Sequence, residues 1–205
     1  MRPDDQCRAA YLDRQEASLA ALGERDLRGY ARVAPDAFLA LLPAIYLGIR
    51  DPRLAELAAS GQTKDLILCR LWQPQSAEDL TVCRETLHVA LRFLADEQGR
   101  PSVQIMPGPY LPVFHPHVLG FYPAHVCLVD DYRPDTTTAA DLCLSLVAML
   151  RFEPGTWSVA PQRALALGAA QWLAGPGREA FDLPLRAPTP DFAGLRVLEG
   201  ATGHD

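Results

Sequence analysis

Prolines set the terms for the middle of this chain. Pro107, Pro109, Pro112 and Pro116 fall within ten residues. Each fixes φ and removes a backbone N–H, so regular strand pairing cannot run through them. A short strand is expected over 101–106, with Val103 and Ile105 on one face, and irregular chain from there to residue 127. Within that irregular stretch stands Phe114-His115-Pro116-His117-Val118, and ten residues after His117 comes the cysteine of Val126-Cys127-Leu128. Tyr132-Arg133-Pro134-Asp135-Thr136-Thr137-Thr138 then leads into an apolar run from Leu142 to Leu150, closed by Phe152-Glu153-Pro154. Strand, imidazole-rich turn, cysteine, loop and helix follow in that order.

At 205 residues, 49% hydrophobic and 21% charged, the chain is long enough for one well-formed core and short for two. A net charge of -6 and one lysine, Lys64, beside eighteen scattered arginines argue against a nucleic-acid partner, which needs clustered cations. Met1-Arg2-Pro3-Asp4-Asp5 lacks the apolar run of a signal peptide, and no segment approaches the roughly 20 apolar residues of a membrane span. A cytoplasmic protein without membrane partners is expected. Cys7, Cys69, Cys83, Cys127 and Cys143 are odd in number and lack Cys-x-x-Cys spacing, so they read as free thiols.

Along the chain, Leu12, Leu19 and Leu22 with several alanines predict a helix over about 9–22, stopped by Gly23. Phe38, Leu39, Leu41, Leu42, Ile45 and Tyr46 predict a second helical segment that Pro43 kinks or breaks, and Asp51-Pro52 starts a short helix ending near Ser60-Gly61. The Leu/Ile-rich stretch 65–72 reads as a strand. Over 80–94 the pattern is ambiguous: Leu80, Cys83, Leu87, Ala90, Leu91 and Leu94 fit a helical face, whereas Leu87, Val89, Leu91 and Phe93 alternate as in a strand. Thr138 with Asp141 caps a helix whose buried stripe is Leu142, Leu146, Met149 and Leu150. Ser158 and Pro161 start another, carrying Leu165, Ala169 and Trp172 to Gly175; residues 176–205 read as an extended tail.

The order from His-Pro-His through Cys127 to Phe-Glu-Pro resembles the ubiquitin-conjugating (E2) family. There an extended segment ends in His-Pro-Asn, a thioester cysteine follows in an x-Cys-Leu context, and a Trp-x-Pro-type loop starts a core helix closed by Glu/Asp-Pro-Asn. Here His117 replaces the asparagine and Tyr132 lies near the usual tryptophan. The resemblance implies an α+β, UBC-like fold: an antiparallel sheet of about four strands flanked by helices, over a core of 63–175, with 1–62 as an N-terminal helical elaboration. It also decides 80–94 in favour of strand, 88–93 resembling the family's third strand and 100–103 the approach to its fourth. Composition and departures from the eukaryotic pattern are similar to bacterial E2-like proteins found beside an E1-like enzyme, a ubiquitin-like modifier and a deconjugating protease in operons linked to phage defence. The implied activity is transthiolation. Cys127 would take the modifier from an E1-like adenylating enzyme and pass it to an amine of a protein target, with no cofactor.

A thiolate is a strong nucleophile whose acyl product stays reactive toward amines, which suits Cys127 to that role. Taken alone, a cysteine between Val and Leu is more often a small buried hydrophobe, and Cys69, Cys83 and Cys143 are read that way. Attack on a thioester creates an oxyanion, for which the His117 imidazole N–H is one candidate donor; bracing of the turn is its structural alternative. His115 is expected to satisfy backbone where prolines withhold donors. Asp130, Asp131 and Tyr132 are candidates to orient an incoming amine. A metal site built from His115, His117 and His125 with Asp130 or Asp131 is weighed and set aside, since the signal is weak. The rival functions are an inactive E2-variant or RWD-like binding module and, were 80–94 helical, a chaperone-like helical protein.

Overall fold

A computed structural model describes residues 3–51, 54, 66–93, 101–119, 123–128, 133 and 136–186. Among these the elements are α1 (Pro3–Ala20), β1 (Gly29–Ala34), β2 (Ala37–Ile49), α2 (Leu66–Leu71), a 3-10 turn (Ala77–Asp79), β3 (Leu80–Arg92), β4 (Ser102–Ile105), β5 (Val118–Leu119), β6 (Ala124–Val126), α3 (Ala139–Leu150), α4 (Leu167–Ala174) and a second 3-10 turn (Pro176–Arg178). The fold is α+β. Its six strands form one antiparallel sheet in the order β1-β2-β3-β4-β6-β5, so β1 to β4 lie side by side in chain order, with α2 and the first 3-10 turn between β2 and β3, and the sheet exceeds the expected four strands.

The helix expected around Phe38 to Tyr46 is instead the long strand β2. Phe38, Ala40, Leu42, Ala44 and Tyr46 are buried and the residues between them are half-buried, a period of two that the continuous apolar run concealed. Pro43 does not break this strand. Leu41 accepts the Arg28 N–H at 2.8 Å, Leu47 accepts the Phe114 N–H at 2.7 Å, and Ile49 donates to the Pro112 carbonyl at 2.8 Å, all on the edge away from β3. Pro43 has the same parity, so its missing N–H faces the gap between β1 and the 112–114 segment and removes no bond to β3. Among the described residues the front of the chain thus contributes the helix α1 and the strands β1 and β2, so the sheet begins ahead of residue 63. The short helix expected after Asp51 lies almost wholly outside the described residues.

The strand expected over 65–72 is the helix α2. A short apolar run has no periodicity to separate the two states, and the β2 edge beside Leu47 and Ile49 is occupied by 112–114. β3 spans Leu80–Arg92, as the strand reading expects, which removes the basis for an all-helical protein. β4 likewise forms where expected. The chain between 106 and 127 is less irregular than the prolines suggest, because it supplies β5 and β6.

The α3 cap forms as the residues predict: Thr138 Oγ1 accepts the Asp141 N–H and Asp141 returns a bond to the Thr138 N–H. Two more N-terminal amides of α3 are satisfied from α1, Ala139 by Gln15 Oε1 at 2.7 Å and Ala140 by Ser18 Oγ at 3.2 Å. One core lies between the sheet, α1 and α3, around Leu19, Phe38, Leu42, Leu87 and Leu146. A second gathers Leu47, Ile49, Phe114, Phe152, Trp172 and Leu185. Leu185 is docked by its N–H on the Arg151 carbonyl, so the C-terminal segment is held as far as Arg186. No helix among the described residues is long and apolar enough to cross a membrane.

Candidate active site at Cys127

The irregular segment is pinned before it reaches the histidines. Tyr46 donates its hydroxyl to the Leu111 carbonyl at 3.1 Å, and 112–114 lies along the end of β2. Glycine at 48 permits this approach: an added Cβ there would stand 2.5 Å from Cys83 Sγ and 3.0 Å from Leu111 Cβ. The His-Pro-His turn then closes with the Val118 N–H on the His115 carbonyl at 3.1 Å.

His115 and His117 are 1% and 2% exposed. His115 Nδ1 accepts the His117 N–H at 3.1 Å, a bond that fixes the neutral ring with its proton on Nε2. Its ring packs on Phe152 at 4.6 Å and beside His117 at 5.6 Å. Burial holds its pKa well below the ordinary histidine value; the neighbouring His117 adds to that shift and the Met149 backbone opposes it. Phe152 closes α3 with a positive φ of 62°, a conformation kept by burial of its ring against His115 and Trp157 and by its carbonyl accepting Trp157 Nε1–H. His117 Nε2 accepts the Ser158 N–H at 3.0 Å. The ring that the sequence offers as an oxyanion donor therefore lies inside the protein, with this nitrogen committed as an acceptor to the 157–159 loop. Together with Ala166, whose N–H reaches the Pro116 carbonyl, this loop bonding explains why the last helix begins at Leu167 and not near Ser158.

Cys127 ends β6. Its N–H donates to the His117 carbonyl at 2.9 Å, and its side chain is exposed. The other cysteines divide by depth: Cys83 and Cys143 are buried, Cys69 is half-buried and Cys7 is exposed. Burial raises the Cys83 pKa and pushes Cys143 up to about 12, which keeps both as thiols. Asp130, Asp131 and Tyr132 lie outside the described residues. His125 is exposed, apart from the buried pair, and among the described residues no group of three His, Cys, Asp or Glu side chains is arranged to hold a metal ion. His125 instead meets Gln104 across the sheet, 3.3 Å from Nδ1 to the amide nitrogen. Sequence reasoning considered His125 only as a metal ligand; its spacing of two from Cys127 was the available signal. Ser158, the partner of His117, left no signal in the sequence, because the bond uses its backbone.

Comparison with protein-family models, with curated proteins and with solved structures gave no match.

Proposed function

We propose that this chain is an E2-like conjugating enzyme in which Cys127 accepts a ubiquitin-like modifier from an E1-like enzyme as a thioester and transfers it to a target amine. The observation that carries the reading is the exposed thiol of Cys127 at a strand end, its backbone tied to the His-Pro-His turn and followed by the capped helix α3. A carrier must present its thiol to two large partners, whereas the buried Cys83 and Cys143 cannot. Further support comes from α1, the single helix ahead of β1, since E2 proteins usually begin with one helix; α2, between β2 and β3, departs from that pattern. In this reading His117 acts as the brace of the cysteine-bearing strand. A bacterial antiphage setting, with modifier, adenylating enzyme and deconjugating protease encoded nearby, is the biological context proposed.

The test is reconstitution with an E1-like enzyme and a ubiquitin-like modifier encoded beside this gene, plus ATP. The expected result is a thiol-sensitive adduct that maps to Cys127 and vanishes in Cys127→Ala. Failure to form it with active E1 would turn the reading toward an inactive, RWD-like binding module.

A further inference from the structure

We propose that His125 is the oxyanion donor for the thioester carried by Cys127, positioned by Gln104; this rests on reading Cys127 as an acyl carrier. Side chains alternate through β6 and past its end: Ala124 is buried, His125 exposed, Val126 half-buried and Cys127 exposed. Residues two apart on extended chain share a face, separated by about 6.6 Å along the strand, within reach of an imidazole. His125 is flanked by Leu119 on β5 and Gln104 on β4, so its strand is held on both sides.

The hydrogen bond to Gln104 selects the ring's chemistry. An amide nitrogen carries only donors, so Gln104 Nε2–H donates to His125 Nδ1, and the neutral ring keeps its proton on Nε2. The nitrogen left to act is a donor, suited to a developing negative oxygen and unsuited to taking a proton. In the transfer step the amine nitrogen bonds to the thioester carbonyl carbon, and the carbonyl π pair moves onto oxygen, where Nε2–H meets it. Collapse re-forms the carbonyl and breaks the C–S bond, whose electron pair leaves on Cys127 Sγ; the surplus amine proton passes to water. His125 keeps its own proton throughout. His117, the other imidazole near this strand end, is 2% exposed with Nε2 taken by Ser158.

The experiment needs no E1. In the full chain carrying Cys7→Ser, Cys127 is acylated with excess phenyl thioacetate, the site is mapped by peptide mass, and the reagent is removed. Single-turnover discharge onto free lysine is then followed by mass. His125→Ala should slow discharge about 10- to 100-fold, the scale of one donor at a partly exposed oxyanion. His125→Gln, which restores an N–H, should recover much of the rate, and Gln104→Ala should lose a smaller part of it. Alkylation of Cys127 by iodoacetamide, which passes through no oxyanion, should be unchanged, as should the melting temperature. Discharge of His125→Ala within twofold of its parent would overturn the proposal, and so would alkylation that falls in step with discharge. If Cys127 resists acylation altogether, the carrier reading and this inference fall together; normal acylation with His125-independent discharge removes only the inference.

Discussion

The Cys127 N–H and the His117 carbonyl, 2.9 Å apart, extend the ladder between β6 and β5 by one residue. Val118 faces Val126 and Leu119 faces His125, so His117 faces Cys127 in the same register. The cysteine's backbone is therefore fixed by the turn that gives the segment its histidines, and disturbance of the turn reaches the thiol through main chain.

His117→Ala should accordingly damage stability before chemistry. It removes the acceptor of the half-buried Ser158 N–H, a loss on the order of 1 kcal/mol. Loading and discharge of Cys127 should fall together with the melting temperature. A stable variant that loads normally and discharges slowly would return the oxyanion role to His117.

Thiol accessibility should separate the cysteines sharply. With its pKa near 12, Cys143 has a thiolate fraction of about 10⁻⁴ at pH 8, and its sulfur is buried as well. Iodoacetamide should alkylate Cys127 at least about a hundredfold faster than Cys143 in native protein, read by peptide mass over time. Comparable rates would remove Cys127 as a carrier.

Stability should depend on pH through His115. Its folded-state pKa lies well below the reference 6.5, so between those two values the unfolded chain binds the extra proton. Unfolding free energy should therefore rise with pH within that window and level off above about 6.5, with a slope of at most about 1.4 kcal/mol per pH unit from this group. Urea unfolding from pH 5 to 8 measures it. His115→Gln should flatten the slope by close to one proton, and an unchanged slope would mean that this histidine does not titrate on unfolding.

Gln15 should matter more than its place on α1 suggests. Its side chain is 0% exposed and its Oε1 caps α3 at Ala139, so Gln15→Leu should cost about 1–3 kcal/mol by leaving that amide unsatisfied. Ser18→Ala, which loses a half-buried cap of Ala140, should cost about 1 kcal/mol. Chemical denaturation reads both.

What the sequence disclosed follows from the range of each signal. The cap of α3 is local, three residues from Thr138 to Asp141, and was legible. β3 alternates from Leu87 to Phe93 and was legible once periodicity was joined to a family pattern. β2 was misread because Leu39, Leu41 and Ile45 on its second face are also apolar, so the alternation appears in burial and not in residue type. The helix α2 is too short for any period to show. At the candidate site, the histidine turn and Cys127 stand close in sequence, and the structure joins them through the Cys127 N–H on the His117 carbonyl. That His115 and His117 are buried depends on contacts with the Trp157 and Ser158 loop some forty residues on, which no local pattern shows.

Pro43 also shapes the outer edge of β2. Among the described residues, no strand pairs with the outer edge of β2 at Pro43 and Ile45, and an unpaired edge can template a strand from another molecule. The ring at 43 deletes the donor in the middle of that gap, so an intruding strand finds its register interrupted. A residue that looks like a helix breaker in the sequence thus sits where its missing donor costs the sheet nothing, and Pro43→Val should add a donor to that outer edge while leaving every bond to β3 in place.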